Sequence, residues 1–227
     1  MNRLDVPRIG VLRSAARDTI ADVGEVTVGH VTLANGAIQT GADFAQGAVG
    51  AGRGMSSFEL KGGVGSASRI ARSVDGHVVG ALVLANFGRL RQLTIGGVAI
   101  ARARDSSSSS QPDMGSVIVV LATDAALDAR QLRRLAMRSA AGIARTGSNF
   151  GQGSGDIAIA FSTRTSEQLR DEALDPLFDA AAEATEQSIV HALFAVETVR
   201  GRDGHVRVAI TERIPDWCAR FRPASRT

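Results

Sequence analysis

The sequence is poor in cysteine, tyrosine, tryptophan and lysine, and each shortage excludes a kind of site. Its single cysteine, Cys218, permits neither an intrachain disulfide nor a metal site built on cysteines. Tyrosine is absent and Trp217 is the only tryptophan, which argues against a nucleic-acid surface that relies on aromatic stacking. Only one of the 26 basic residues, Lys61, is a lysine, so the pI near 10.2 reflects arginine usage more than the net charge of +3.

Long apolar runs are also missing. No window approaches the length of uninterrupted apolar residues that a membrane-spanning helix needs. Residues 1–16 contain scattered arginines and no apolar signal-peptide core, so we expect a cytoplasmic protein. The clearest basic cluster has helical spacing and is typical of the solvated side of an amphipathic helix: Arg130, Arg133, Arg134 and Arg138. We therefore expect neither a nucleic-acid nor a membrane partner.

The composition that remains is that of a globular α/β protein. The chain has 227 residues, of which 44% are hydrophobic, and this length suffices for one compact domain with a core. Two glycine-rich segments, 47–65 and 147–155, predict loops or tightly turning backbone. Apolar and alternating runs predict strands over residues 23–33, 78–86, 93–100, 116–123, 156–163 and 205–210. Helical spacing predicts helices over residues 128–144, with Asp128 as the N-cap, and 176–198.

Common nucleophile and metal motifs are absent from the sequence. It contains no G-x-S-x-G elbow, no Walker A motif and no H-E-x-x-H motif. The four histidines are scattered and have no evident carboxylate partner in the sequence: His30, His77, His191 and His205. We expect each of them to be structural or exposed, with His30, at a strand position after a glycine, the least ordinary. We expect no metal and no organic cofactor.

A hydrolase without a catalytic histidine can use a serine at the N-terminus of a chain. Self-cleavage before that serine frees an α-amine with a pKa of roughly 7.7–8.0, which can act as the base. Such a site needs a small residue before the serine, a rigid strand after it and slack chain in front of it. Gly115, the strand that begins at Ser116 and the polar segment DSSSSSQP (105–112) supply these features. The same features also fit an ordinary serine between a loop and a strand.

The segment GSVIVVLATDAAL (115–127) resembles the nucleophile segment of the DmpA family, which contains L-aminopeptidase/D-esterases and β-aminopeptidases that cleave themselves between Gly and Ser. Further segments that resemble the family are collinear and cover most of the chain: 19–33, 54–69, 81–98, 131–163 and 177–204. The resemblance implies a layered αββα sandwich in which two sheets face each other between helices. It also implies a single domain over residues 1–227, which self-cleavage at Gly115–Ser116 would divide into subunits 1–115 and 116–227.

The resemblance implies roles for several polar residues. Ser116 would be the nucleophile of both self-cleavage and substrate hydrolysis. Ser154 and Asp156, in the GSGD loop, would hydrogen-bond the nucleophile or its amine, and the side-chain amide of Asn86 would donate to the oxyanion. The expected substrate is a short peptide, amide or ester, hydrolysed without a cofactor by a homo-oligomer of processed pairs. Lys61 and its neighbouring glycines are expected to be structural.

The chain departs from the family between the opening strand and Gly47. Family members carry a long insert there that supplies part of the substrate pocket, whereas only ANGAIQTGADFAQ (34–46) bridges this gap here. An alternative function is therefore open: a catalytically impaired, shortened family member that acts as a non-enzymatic scaffold or binds a small ligand. Phosphate binding by segment 47–65 is a weaker alternative, because no strong helix is predicted to follow it.

Overall fold

The structure is a computed structural model. It describes residues 6–32, 37–72, 76–101, 115–165, 168–201 and 204–221. The polar segment 105–112, predicted to be slack chain in front of Ser116, lies outside these residues.

The described residues form short and long strands and five α-helices. The strands are β1 (Val28–Thr32), β2 (Ala37–Gly41), β3 (Ser56–Ser57), β4 (Leu60–Lys61), β5 (Gly63–Ile70), β6 (Val78–Asn86), β7 (Thr94–Ile95), β8 (Val98–Ala99), β9 (Ser116–Thr123), β10 (Ile157–Ser162), β11 (Val199–Arg200) and β12 (Val206–Arg207). The helices are α1 (Ala129–Met137), α2 (Ser139–Arg145), α3 (Asp175–Phe194), α4 (Ile210–Arg213) and α5 (Trp217–Arg220). In these described ranges no helix, the 20-residue α3 included, is both long and apolar enough to cross a membrane.

A mixed four-stranded sheet forms the centre of the molecule. Its strand order is β10-β9-β6-β5, with β9 antiparallel to β6 and parallel to β10. The strand predicted over 116–123 is therefore an interior strand with a neighbour on each side. The predicted strand over 78–86 also has the bounds found in the structure.

One face of this sheet packs against helices. Alternate side chains of β9, Val117, Val119 and Leu121, are fully buried in a core shared with α3. The close packing of α3 on β5 depends on a glycine, because a Cβ at Gly65 would overlap the carbonyl oxygen of Ser188. The sequence did not predict β5, because its first residues, 63–65, belong to the glycine-rich segment that was predicted to be a loop.

The opposite face of the sheet is only partly covered. At one end it packs against Ile20 and Val23, and across a cavity from its middle lies the two-stranded β1–β2 ladder. The rest of this face exposes large apolar side chains: Ile118, Ile157, Ile159 and Phe161. Within the described residues, the β1–β2 ladder is the sheet that faces the central sheet across this cavity.

Several predicted elements have other bounds in the structure. The helix predicted over 128–144 is interrupted at Arg138, where the Ser139 hydroxyl donates to the carbonyl oxygen of Ala136, although Asp128 does cap its start by accepting from Gln131 N–H at 2.7 Å. The strand predicted over 93–100 is the β7–β8 hairpin, with its turn at a pair of glycines. The strand predicted over 23–33 shortens to β1, that over 156–163 to β10 and that over 205–210 to β12, while the helix over 176–198 becomes α3.

Candidate active site

Ser116 and Asn86 are direct neighbours across two strands. Ser116 opens β9 and Asn86 ends β6, and the antiparallel register pairs these two residues. Paired residues of an antiparallel ladder project to the same face with their Cβ atoms about 4.5–5.5 Å apart. Because the next residue, Val117, faces the helices, Ser116 and Asn86 lie on the opposite face, which borders the cavity.

The GSGD loop lies at the same edge of the sheet as Ser116. Because β9 and β10 are parallel, the residues that precede both strands are close together. Gly155 N–H donates to Ser116 Oγ at 3.0 Å, and the hydroxyl of Ser154 donates to Asp156 Oδ1 at 2.6 Å. The same Oδ1 accepts from Val117 N–H at 2.9 Å. The structure thus brings together the serine and the loop that the sequence proposed for it.

The contacts of this loop differ in detail from the sequence prediction. Ser154 and Asp156 were expected to bond the nucleophile or its amine, but the group that contacts Ser116 Oγ is the N–H of Gly155. Asp156 instead holds the backbone just after Ser116, and Ser154 is held by Asp156. Sequence reasoning missed Gly155 because a backbone donor has no side-chain signature. The available signals were its position between Ser154 and Asp156 and its place in the glycine-rich segment 147–155.

The side-chain amide of Asn86 is oriented by a backbone donor. Ser56 N–H donates to Asn86 Oδ1 at 3.0 Å. Since an N–H group can only donate, the accepting atom must be the carbonyl oxygen of the amide, and the Nδ2 group is left as the donor. Among the described residues Nδ2 has no hydrogen-bond acceptor, so it can donate to a ligand or to an oxyanion. Ser56 was not singled out from the sequence.

Gly115 contacts the backbone at the end of β6. A Cβ at this position would overlap the carbonyl oxygen of Asn86 and approach Phe87 Cα to 2.8 Å. From the sequence, a small residue was expected here to give access to the carbonyl at the proposed cleavage site. The structure adds a second reason, which is the close approach of two chain segments.

Lys61 is fully buried and holds the glycine-rich segment in place. Its Nζ donates to the carbonyl oxygens of Gly52, Met55 and Gly62 at 2.5–2.9 Å, and only 1% of the residue is exposed. Burial, and secondarily the charge of Arg53, lowers the pKa of Lys61 to about 8. The ammonium group faces carbonyl oxygens and is not available to a phosphate, and the segment leads into β5 instead of a helix.

A cavity of about 330 Å³ separates β1 from the open face of the sheet. Its wall is mainly apolar and includes Leu84 and Ile118, which lie two residues from Asn86 and Ser116 on the same face. His30 also lines it, and its Nε2 atom is buried without a hydrogen-bond partner in the described structure. The cavity therefore borders the site.

Two of the other histidines contact neighbouring elements. His191 Nδ1 lies 2.6 Å from the carbonyl oxygen of Ser66, and His77 Nδ1 lies 3.3 Å from Asp124. In the part of the chain that the structure describes, no hydrogen bond joins a histidine to Ser116. Nor do its His, Cys, Asp and Glu side chains form a group of three that could hold a metal ion.

The sequence matches a family of peptidases. The family model described as peptidase family S58 matches residues 37–207. A β-peptidyl aminopeptidase of Sphingosinicella microcystinivorans is 35% identical over an alignment of 249 positions, which covers 87% of this chain and 63% of that protein.

Two solved structures share the fold. A protein of Pyrococcus horikoshii OT3 superimposes with a TM-score of 0.71 at 45% identity, over 81% of this chain and 55% of that one. The L-aminopeptidase D-Ala-esterase/amidase of Ochrobactrum anthropi, described as a prototype of the serine aminopeptidases and a variant of the Ntn hydrolase fold, gives 0.69 at 35% identity over the same shares. These likenesses confirm the predicted sandwich fold. The chain spans less than two thirds of the length of each of these relatives.

Proposed function

The chain belongs to peptidase family S58, and we propose on that basis that it is a self-processing serine aminopeptidase or amidase with Ser116 as its nucleophile. The environment of Ser116 supports this most directly: the residue opens an interior strand, with its Oγ fixed by Gly155 and its side chain beside Asn86. The names of two relatives, a β-peptidyl aminopeptidase and an L-aminopeptidase D-Ala-esterase/amidase, support short peptides, amides and esters as substrates.

Self-cleavage is the first reaction that we propose. Ser116 Oγ attacks the carbonyl carbon of Gly115 and forms an ester, while the C–N bond to Ser116 breaks. The hydroxyl proton passes to the departing nitrogen, which becomes the α-amine of Ser116. Water then hydrolyses the ester and leaves the two subunits expected from the sequence, residues 1–115 and 116–227.

Substrate hydrolysis uses the same hydroxyl. The α-amine of Ser116 takes the Oγ proton, Oγ attacks the substrate carbonyl, and the resulting ammonium protonates the leaving amine. Asn86 Nδ2 donates to the oxyanion, a contribution of about 2.7–4 kcal/mol for such a donor in other enzymes. The Ser154 hydroxyl, whose proton is held by Asp156, keeps its oxygen lone pairs open to accept from the amine. Water finally releases the acyl group.

The cavity between β1 and the sheet is the proposed pocket for the first residue of the substrate. Its wall is apolar where it approaches Ser116, through Ile118 and Leu84, and its volume of about 330 Å³ suits an apolar side chain. Substrates that begin with an apolar residue should therefore be preferred over those that begin with a charged one.

Assembly and location stay predictions. The apolar side chains exposed on the open face of the sheet support the expected homo-oligomer, since exposed apolar surface of this kind marks interaction sites. The cytoplasmic location and the absence of a nucleic-acid partner stay predictions from the sequence.

The proposed function is tested by comparing the wild type with Ser116→Ala. Intact mass after incubation at neutral pH should show two fragments for the wild type and one chain for the variant. Only the wild type should hydrolyse aminoacyl p-nitroanilides with apolar first residues. Ser162→Ala, at the far end of β10, is the matched control and should cleave like the wild type. An alanine variant that still splits after Gly115 would show that Ser116 is not the nucleophile.

The alternative function makes the opposite prediction for the wild type. A folded wild-type chain that stays unbroken and hydrolyses no substrate would favour a shortened, non-enzymatic family member. The chain covers only 55% of the length of these solved neighbours, and the resemblance implies that the short segment 34–46 replaces a long insert of the family, so the activity of the wild type decides between the two functions.

A further inference from the structure

We propose that Lys61 is a positioning residue that strengthens the oxyanion donor of Asn86 through one peptide group. The proposed path runs from the Lys61 ammonium to the Met55 carbonyl, through the Met55–Ser56 peptide to Ser56 N–H, and from there to the side-chain amide of Asn86. It deepens the proposed function and rests on it, because it requires Asn86 to contact the oxyanion.

The first link joins Lys61 to the peptide group. Lys61 Nζ donates to the carbonyl oxygen of Met55 at 2.9 Å, and Gly62 N–H donates to the same oxygen at 3.1 Å. Because Lys61 is buried, this contact lies in a medium of lower dielectric than water, where a charge acts more strongly on its neighbours.

The second link joins the same peptide group to Asn86. The N–H of this peptide belongs to Ser56 and donates to Asn86 Oδ1 at 3.0 Å. The β3–β4 hairpin fixes the position of both groups, because Ser56 pairs with Lys61 and the following residues, Ser57 and Phe58, donate to the carbonyl oxygen of Phe87. The end of β6 is thus attached to the hairpin at two adjacent residues, Asn86 and Phe87.

The third link follows from the polarity of amides. A cation at the carbonyl of a peptide draws electron density toward the oxygen and makes its N–H a stronger donor. A stronger donor at Oδ1 polarises the side-chain amide of Asn86 in the same sense, so that its Nδ2–H becomes a stronger donor to developing negative charge. Burying the Lys61 ammonium costs free energy, and an apolar side chain would fill the same space without that cost. The charge at this position therefore points to a role beyond packing.

The protonation state of Lys61 gives the path a signature in pH. Its pKa of about 8 means that the ammonium loses its charge within an accessible range. The neighbouring cations are Arg53, whose charge contributes to this lowered pKa, and Arg207, whose Nε donates to Ser56 Oγ at 2.8 Å. The rising limb of the rate comes from the Ser116 α-amine, with an ordinary pKa of roughly 7.7–8.0, and deprotonation of Lys61 should produce a falling limb.

The test is a double-mutant cycle on hydrolysis of an aminoacyl p-nitroanilide, with rates expressed per processed chain as counted by intact mass. Asn86→Ala should lower kcat by about 10²–10³-fold. Lys61→Met should lower kcat by about tenfold at unchanged KM, since it weakens a contact made in the transition state. The double variant should match Asn86→Ala within about twofold, because Lys61 has no path without Asn86.

Multiplicative losses in the double variant would overturn the path and leave Lys61 a purely structural residue. Leu60→Ala, in the same hairpin strand, is the matched control: it removes buried packing but keeps Lys61, so its kcat should stay near that of the wild type. If Lys61→Met does not fold, the pH profiles of the wild type and Asn86→Ala decide. The fall in kcat above about pH 8 should be present only in the wild type, and an equal fall in both overturns the path. An inert wild type would overturn the proposed function itself, together with this inference.

Discussion

At the scale of single residues, the site depends on backbone atoms as much as on side chains. Ser116, Asn86, Ser154 and Asp156 could be named from the sequence, because each belongs to a segment that resembles a known family. The backbone groups that contact Ser116 Oγ and the Asn86 amide could not be named. Gly155 contacts Ser116, and Ser56 contacts Asn86, through their backbone N–H groups, which every residue except proline possesses.

Gly115 is a small residue for two reasons, of which the sequence indicated only one, the access to its carbonyl carbon. The other is its close contact with the carbonyl oxygen of Asn86. Gly115→Ala should slow the proposed self-cleavage, because its methyl group would overlap the carbonyl oxygen of Asn86 and force the proposed scissile bond away from Ser116 Oγ. The loss of intact chain with time, followed by mass after cell-free synthesis, measures the effect, and we expect a decrease of about tenfold or more for a displacement on the order of 1 Å.

Gly54→Ala is the control for this prediction, since a Cβ at Gly54 would meet no atom within 4 Å. It should leave cleavage unchanged. Cleavage of Gly115→Ala at the wild-type rate would show that the contact with Asn86 can relax without moving the scissile bond.

At the scale of elements, strands with strong apolar patterns were predictable and the glycine-rich strand was not. Strands β6 and β9 contain nearly continuous apolar residues, and their predicted bounds are those of the structure. Strand β5 begins GVGSAS, and its glycines suggest a loop when the sequence is considered alone. Gly65 is required because α3 crosses this strand in close contact, and Gly63 because the backbone of Gly47 does. Local sequence cannot show either packing contact.

Gly65→Ala should therefore destabilise the protein. The added Cβ would overlap Ser188 O and come within 2.5 Å of Ala192 N, so that α3 must move away from β5. Overpacking of this kind costs about 1–3 kcal/mol, and backbone contacts place this case at the upper end. Urea unfolding in the Ser116→Ala background, which keeps the chain in one piece, measures the loss.

The matched substitution is Gly24→Ala, where no atom lies within 4 Å of the new Cβ. Its free energy of unfolding should stay within about 0.5 kcal/mol of the parent. Equal stability of the two variants would mean that α3 and β5 are less tightly packed than the structure indicates.

At the scale of the whole molecule, Arg69 connects the N-terminal segment, the sheet and α3. Its fully buried guanidinium lies 3.1 Å from Asp18 and 3.5 Å from Glu183, and it donates to the carbonyl oxygen of Ile9 at 2.8 Å. Glu183 in turn accepts from the N–H of Leu12 at 2.9 Å. Partners this far apart in the sequence were not predictable, because buried ion pairs have no local pattern.

Arg69→Met should lower the free energy of unfolding by about 3–5 kcal/mol, because it leaves the carboxylates of Asp18 and Glu183 without their buried partner. Arg72 is exposed and lies two residues after the end of β5. Arg72→Met should change the free energy of unfolding by less than about 0.5 kcal/mol. The comparison again uses urea unfolding in the Ser116→Ala background. Similar losses for both arginines would show that the buried network contributes no more than a surface contact.

The position of β9 inside the sheet has a consequence for the fate of a cut chain. Cleavage before Ser116 would assign β5 and β6 to one fragment and β9, β10 and α3 to the other, yet these elements share one sheet and one core. The fragments would stay together after cleavage, held by the same contacts that formed while the chain was continuous. Unfolding would then release two molecules, so the stability of the processed form would fall on dilution. A protein of this design folds as one chain, and after denaturation it would have to reassemble as a heterodimer.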